Sequence, residues 1–262
     1  MKVWLEGIGV WGPGISGWAD CRARLTGMAD GPAECPEPPA AALASQERRR
    51  STASVRLAAE VAAQACTAAG RDPAAYATVS ASSAGDLATV HALCATLSTE
   101  PQLLSPTRFH NSVHNAPGGY WSIAGNCQQP ANALAAGAAS FAAGLLEAAV
   151  QCAIESRPVM LLAYDLPGPS PLGEASRIGA GLGVALAFSP SPAACAPALQ
   201  IRYDDNQLAE TVLGDPALEA LRCTTPAARC LPLLAAVAGE VGGAVTLGMG
   251  AGSMTVTISP VR

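Results

Sequence analysis

The segment Asn132–Ala153 (NALAAGAASFAAGLLEAAVQCA) and the strand that follows it constrain this chain more than any other feature. It reads as a strand near Asn132–Ala136, a tight turn at Gly137–Ala139 and a helix from Ser140. On that helix Phe141, Leu145, Ala148 and Cys152 recur at three to four residues, which lays down one buried stripe. Pro158–Ala163 (PVMLLA) is then apolar without alternation, as strands covered on both faces are. A strand that needs cover on two sides, delivered next to a helix with a single apolar face, requires a layered α/β architecture.

The same grammar runs through the rest of the chain. Lys2–Val10 predicts a strand before a turn at Gly12–Gly14, and a short helix through Trp18 and Leu25 follows. Residues 28–45 read as an exposed loop ending at Arg48-Arg49-Arg50. Ser51 and Thr52 are N-cap candidates for a helix over Ala53–Ala69, closed by Gly70. Tyr76–Ser82 predicts a strand, Ser83–Asp86 a turn, and Leu87, Val90 and Leu97 a helix. Ser105–Pro117 reads as an irregular loop, because Pro106 and Pro117 argue against a stable helix there. Further strands are expected at Gly183–Phe188, Leu199–Tyr203, Ala244–Leu247 and Ser253–Ile258, with one or two helices between Gln207 and Ala238. Nothing marks a linker, so one domain over residues 1–262 is expected.

Charge and composition exclude several functions. Only 13% of the residues are charged and the net charge is −5, which gives no field for phosphate backbones, so nucleic acid is not an expected partner. MKVWLEGIGVWGPG lacks the continuous apolar run of a signal peptide, and the low-polarity stretch Ala131–Ile154 is mostly Ala and Gly with Asn132 and Glu147 inside it. No membrane span is expected. The nine cysteines are scattered without a CxxC pair, which fits reduced thiols in the cytoplasm.

Gly7-Ile8-Gly9-Val10-Trp11-Gly12 has the letters of a dinucleotide fingerprint, but Pro13, Gly14 and Gly17 interrupt the helix that should follow. No cofactor is expected. His110 and His114 stand four apart without an HExxH glutamate, so no metal is expected; hydrogen bonding to loop backbone is the preferred role. No GxSxG string occurs. The three arginines at 48–50 read as a solvated patch, with an acidic carrier domain or phosphate as the alternative.

Taken together, KVWLEGIGVWGPG, the helix after ERRR, the strand with SASSAGD and the strand-turn-helix at 132–153 resemble the amino-terminal half of β-ketoacyl synthases. RIGAGLGVALAF and GGAVTLGMGAGSMTVTI are similar to strands of their second half. SPTRFHNSVHNAPGGYWSIAG with SFAAGLLEA resembles the short ketosynthase-like chain length factors of aryl polyene and related pigment-type pathways. The resemblance implies a thiolase-like layered α-β-α-β-α fold with an abbreviated second half, divided as 1–165 and 166–262.

It also implies where chemistry should sit. Such enzymes carry a nucleophilic Cys at the strand-to-helix elbow, where a helix N-terminus favours the thiolate. Here that position falls on Ala138 or Ala139, depending on whether it is counted from Pro130 or from Ala163, and no His follows His114. The resemblance therefore implies a non-catalytic subunit paired with a true ketosynthase, with an acyl carrier protein docking mainly on that partner. Residues Gln129–Ala136, Asn132 and Leu134 among them, should lie at the interface, beside His110, His114, Asn115 and Ser140. Phe109, Tyr120, Trp121 and Phe141 are candidates for the wall of an acyl tunnel. The alternative is an independent malonyl decarboxylase or acyl-transfer enzyme using Cys127 or Ser140.

Overall fold

The computed structural model describes residues 1–29, 35–193, 195–240 and 242–259. Part of the loop expected at 28–45, residues 30–34, lies outside these. Strand β1 (Lys2–Trp11) is followed by helices α1 (Trp18–Leu25), α2 (Ser45–Arg50) and α3 (Ala53–Ala69). The Thr52 side chain accepts a hydrogen bond from the Val55 N–H at the start of α3, and Gly70 ends the helix in the left-handed region at φ 61°. Next come β2 (Ala77–Ala81) and α4 (Leu87–Thr99), whose first turn is capped by the Asp86 carboxylate on Thr89 N–H.

The stretch expected to be irregular instead holds two helices, α5 (Pro106–Asn111) and α6 (Ala116–Ala124). Both prolines occupy the first turn, where the missing N–H has no helical partner to lose, so they start helices here and do not break them. The elbow segment matches its sequence pattern: β3 (Ala131–Leu134), a 3-10 turn at Gly137–Ala139 and α7 (Ser140–Glu155). Then follow β4 (Val159–Asp165), α8 (Leu172–Ser176), β5 (Leu182–Ser189), β6 (Ala198–Asp204), α9 (Pro216–Thr224), α10 (Leu231–Ala238), β7 (Gly243–Gly248) and β8 (Ser253–Ser259).

The strands form one sheet in the order β3-β2-β4-β5-β1-β6-β8-β7. Strand β2 runs parallel to β3 and β4, and the other pairings are antiparallel. One face is covered by α3 and α6, with Met160, Leu162, Tyr164, Ala185 and Ala187 beneath them. The opposite face packs on α7, α10 and the 3-10 turn Pro226–Cys230. Those helices also receive Leu199, Ile201, Val256 and Ile258 from β6 and β8. On the far side of these strands Gln200, Arg202, Thr257 and Ser259 are exposed. That face of β6 and β8 turns polar side chains to water, as a sheet covered on one side does.

The glycines of the fingerprint-like motif serve packing. A Cβ on Gly7 would lie 2.1 Å from the Ala65 carbonyl oxygen, and one on Gly9 would lie 1.9 Å from that of Val61. They let α3 rest directly on β1. Residues Gly137–Glu155 are long and apolar enough to cross a membrane, but Phe141, Leu145, Ala148 and Cys152 are buried against the sheet, as in a core helix.

Candidate functional site

The elbow between β3 and α7 borders a cavity of about 260 Å³, lined by Ser83, Gly137, Ala138, Arg177, Cys223 and Arg229 among others. Its turn depends on Gly137 at φ 55°. From Leu134 to Ala139 every residue is Leu, Ala or Gly, so the bend carries no nucleophile whichever position is aligned with a catalytic one. Ala138 is exposed at the bend and Ala139 half-buried.

The two substitutes are committed elsewhere. Ser140 is 1% exposed; its hydroxyl accepts from Ala136 N–H at 3.0 Å and donates to the Gly137 carbonyl at 2.8 Å. Cys127 is buried and its thiol donates to the Tyr76 carbonyl at 3.2 Å. Neither lines the cavity.

Beneath the elbow lies Asp165, which sequence reasoning passed over. One carboxylate oxygen accepts from the Ser82 hydroxyl at 3.1 Å, the Ser83 N–H at 2.8 Å and the Ser83 hydroxyl at 2.7 Å. The other accepts from Ala227 N–H at 2.9 Å. Burial raises its pKa above the ordinary carboxylate value despite these donors. Asp165 thereby ties the β2–α4 turn to the 3-10 turn Pro226–Cys230, two segments that frame the cavity. The available signal was an acid closing an otherwise apolar internal strand.

The histidines have separate partners. His110 is exposed and packs edge-on against Tyr120, with ring centroids 6.2 Å apart. His114 Nε2 donates to the Ser82 carbonyl at 3.1 Å, and Asn115 is exposed. Of the aromatic candidates, Tyr120, Trp121 and Phe141 are core residues, and none of the three lines the elbow cavity. Each ring is surrounded by neighbours from α3, the sheet or α7. Phe109 differs; it is 67% exposed.

Strand β3 is an edge of the sheet, with Gln129, Asn132 and Ala133 exposed and Leu134 half-buried. Exposed apolar side chains also stand on the stretch from α4 to α6: Leu97, Leu103, Phe109, Val113 and Ile123. Helix α4 packs on α5, the Tyr120 hydroxyl donates to Asn111 of α5, and α6 packs on β3. Helix α4 is apolar in composition, yet buries only Thr89 and Leu93.

A larger cavity, about 670 Å³, opens between α2, α3, α4 and α5, with Arg49, Arg50 and Arg108 among its lining residues. Asp86 sits in its wall. Burial works to raise the pKa of that carboxyl, but hydrogen bonds from Ser54, Thr52 and Thr89 outweigh it and hold the value below the ordinary one.

The profile described as "Beta-ketoacyl synthase, N-terminal domain" matches residues 18–231, and the chain belongs to that family. Among solved structures it is similar to a chain of the ketosynthase (ApeO) in complex with its chain length factor (ApeC) from Xenorhabdus doucetiae: 17% identity, TM-score 0.74, covering 98% of this chain and 99% of that one. It is also similar to the ishigamide ketosynthase/chain length factor (13%, TM-score 0.67, 98% and 99% covered). A third is AntDE:AntF, a type II acyl carrier protein in complex with its ketosynthase (9%, TM-score 0.77, 99% of each covered). At these identities the likeness is one of fold, thiolase-like as expected. No curated protein matches the chain in sequence.

Proposed function

We propose that this chain is the non-catalytic, chain-length-factor-like partner of a catalytic β-ketoacyl synthase, in a type II synthase of polyene or fatty-acid-like products. The observation that carries the reading is the elbow: Leu134 to Ala139 offers alkyl groups and glycine only, and Ser140 and Cys127 are hydrogen-bonded to backbone. Covalent acyl transfer needs a nucleophile with an adjacent base, and this bend supplies neither.

The open edge of β3 and the exposed apolar side chains on the stretch from α4 to α6 support pairing with another chain. An edge strand offers unpaired N–H and C=O groups, and β3 carries neither charge nor proline to discourage their use. The solved complexes named above join ketosynthases to chain length factors or to a carrier protein. In the proposed heterodimer Gln129, Asn132 and Leu134 lie along the partner, with Phe109, His110, His114 and Asn115 on the adjoining surface. The partner provides Cys and His, this chain completes the acyl tunnel, and the carrier protein docks mainly on the partner. The nine free thiols support a reducing compartment, the cytoplasm.

Incubation with radiolabelled malonyl carrier protein, with and without the co-expressed ketosynthase, tests the reading. Turnover in the mixture alone supports it. Turnover, or an acyl adduct by intact mass, on the isolated chain refutes it.

A further inference from the structure

The arginine-rimmed cavity involves neither β3 nor the elbow. Its volume of about 670 Å³ lies within the range of small-molecule sites, and its lining joins apolar side chains such as Leu87, Ala92 and Leu166 to polar ones from α2, α3, α4 and α5. The charges in it can be counted. Arg50 is held by Glu47, whereas Arg49 and Arg108 have no carboxylate partner among the described residues. Asp86 contributes one negative charge, occupied by the Ser54 hydroxyl at 2.6 Å and Thr89 N–H at 2.8 Å. It sits at the starts of α3 and α4 and already answers both helix ends, so an incoming anion would be drawn to the guanidinium rim.

Two unpaired cations against one carboxylate leave a single positive charge. A monoanion neutralises it, and a phosphate dianion overshoots. We infer that this cavity binds a small amphipathic carboxylate, its head between Arg49 and Arg108 and its apolar body on Leu87, Ala92, Leu166 and Pro167. Guanidinium is suited to the head because it pairs with carboxylate through two parallel N–H donors. The alkyl body gains by leaving water, at about 0.8 kcal/mol for each methylene fully buried.

The test is calorimetric titration of the full chain, alone and in complex with a ketosynthase, with sodium octanoate, sodium acetate, octanol and octyl phosphate. Octanoate is expected to bind one site saturably, about tenfold or more tighter than acetate or octanol. Its affinity should fall about tenfold in the double variant Arg49→Ala/Arg108→Ala, and on raising salt from roughly 50 to 500 mM. Both arginines are exposed, so thermal melting of that variant should match the parent chain. Ala92→Trp, which fills the floor without touching charge, should also abolish binding. Octanol binding as tightly as octanoate, unchanged affinity in the double variant, or octyl phosphate preferred tenfold would each overturn the assignment. Loss of ketosynthase pairing would leave the titration of the isolated chain unaffected, so the two readings fail separately.

Discussion

Replacing Gly9 by alanine puts a methyl carbon 1.9 Å from the Val61 carbonyl oxygen and 2.9 Å from Gln64 Cβ. Carbon and oxygen ordinarily approach no closer than about 3.3 Å, so α3 must withdraw from β1 by more than about 1 Å. That helix buries Val55, Leu57, Ala58, Val61, Ala62 and Ala65. A gap of 0.5–1 Å forfeits roughly a quarter to a half of the dispersion attraction at each contact, and overpacking of this kind costs about 1–3 kcal/mol or more. We take about 3 kcal/mol, which for a chain of this size lowers the melting temperature by about 6–12 °C. Circular dichroism melts of Gly9→Ala, beside Gly17→Ala as control, measure it. At Gly17 the added carbon meets only Gln64 Oε1 at 3.8 Å, on extended backbone at φ 168°, so the control should melt with the parent chain or slightly above it. A Gly9→Ala protein melting within about 2 °C of the parent would refute the argument that this glycine exists for helix-on-strand contact.

Asp165→Ala strands the Ser83 and Ala227 N–H groups, at about 1–3 kcal/mol each, read from denaturant unfolding. Because burial raises the Asp165 pKa, its ionisation opposes folding: the parent chain should lose stability relative to Asp165→Asn as pH rises above the ordinary 3.8. Asp86 has the opposite sign. Its lowered pKa contributes stability above 3.8 that is lost as pH falls through the folded value, so the cost of Asp86→Ala, about 1–2 kcal/mol at neutral pH, should shrink in acid unfolding series. Ala133→Lys, on the exposed edge of β3, should weaken capture of a co-expressed ketosynthase about tenfold in a pull-down and leave the melting temperature unchanged. Thiol titration of the native chain should find Cys35, Cys94, Cys195 and Cys223 reactive and Cys21, Cys66, Cys127, Cys152 and Cys230 protected until unfolding. Burial pushes Cys21, Cys66 and Cys152 up to about 12, which removes the thiolate that reacts.

Strands and helices with regular periodicity were legible from the letters. The turn at Gly137–Ala139, the start of α7 at Ser140 and the end of α3 at Gly70 all lie where glycine, caps and apolar spacing put them. The prolines at 106 and 117 misled because proline's effect depends on whether it falls at a helix start or interior, and spacing alone does not say which. The absence of a nucleophile at the elbow was equally legible, since no geometry can make alanine attack. What stayed hidden were groups whose roles are defined by distant neighbours. Asp165 meets Ala227 across 62 positions, and Arg108 shares a cavity with Arg49 only after α2 and α5 are placed side by side. Burial was hidden in the same way: that Tyr120 and Trp121 are buried while Phe109 is exposed follows from packing, not from their letters.

The uncovered flank from α4 to β3 has a bearing on how the molecule must be made. Greasy side chains such as Leu103, Phe109 and Ile123, next to an unzipped ribbon, are the ingredients of sticking to oneself. At high concentration the polypeptide should self-associate through that side, and in the proposed heterodimer a matched supply of the partner keeps it covered.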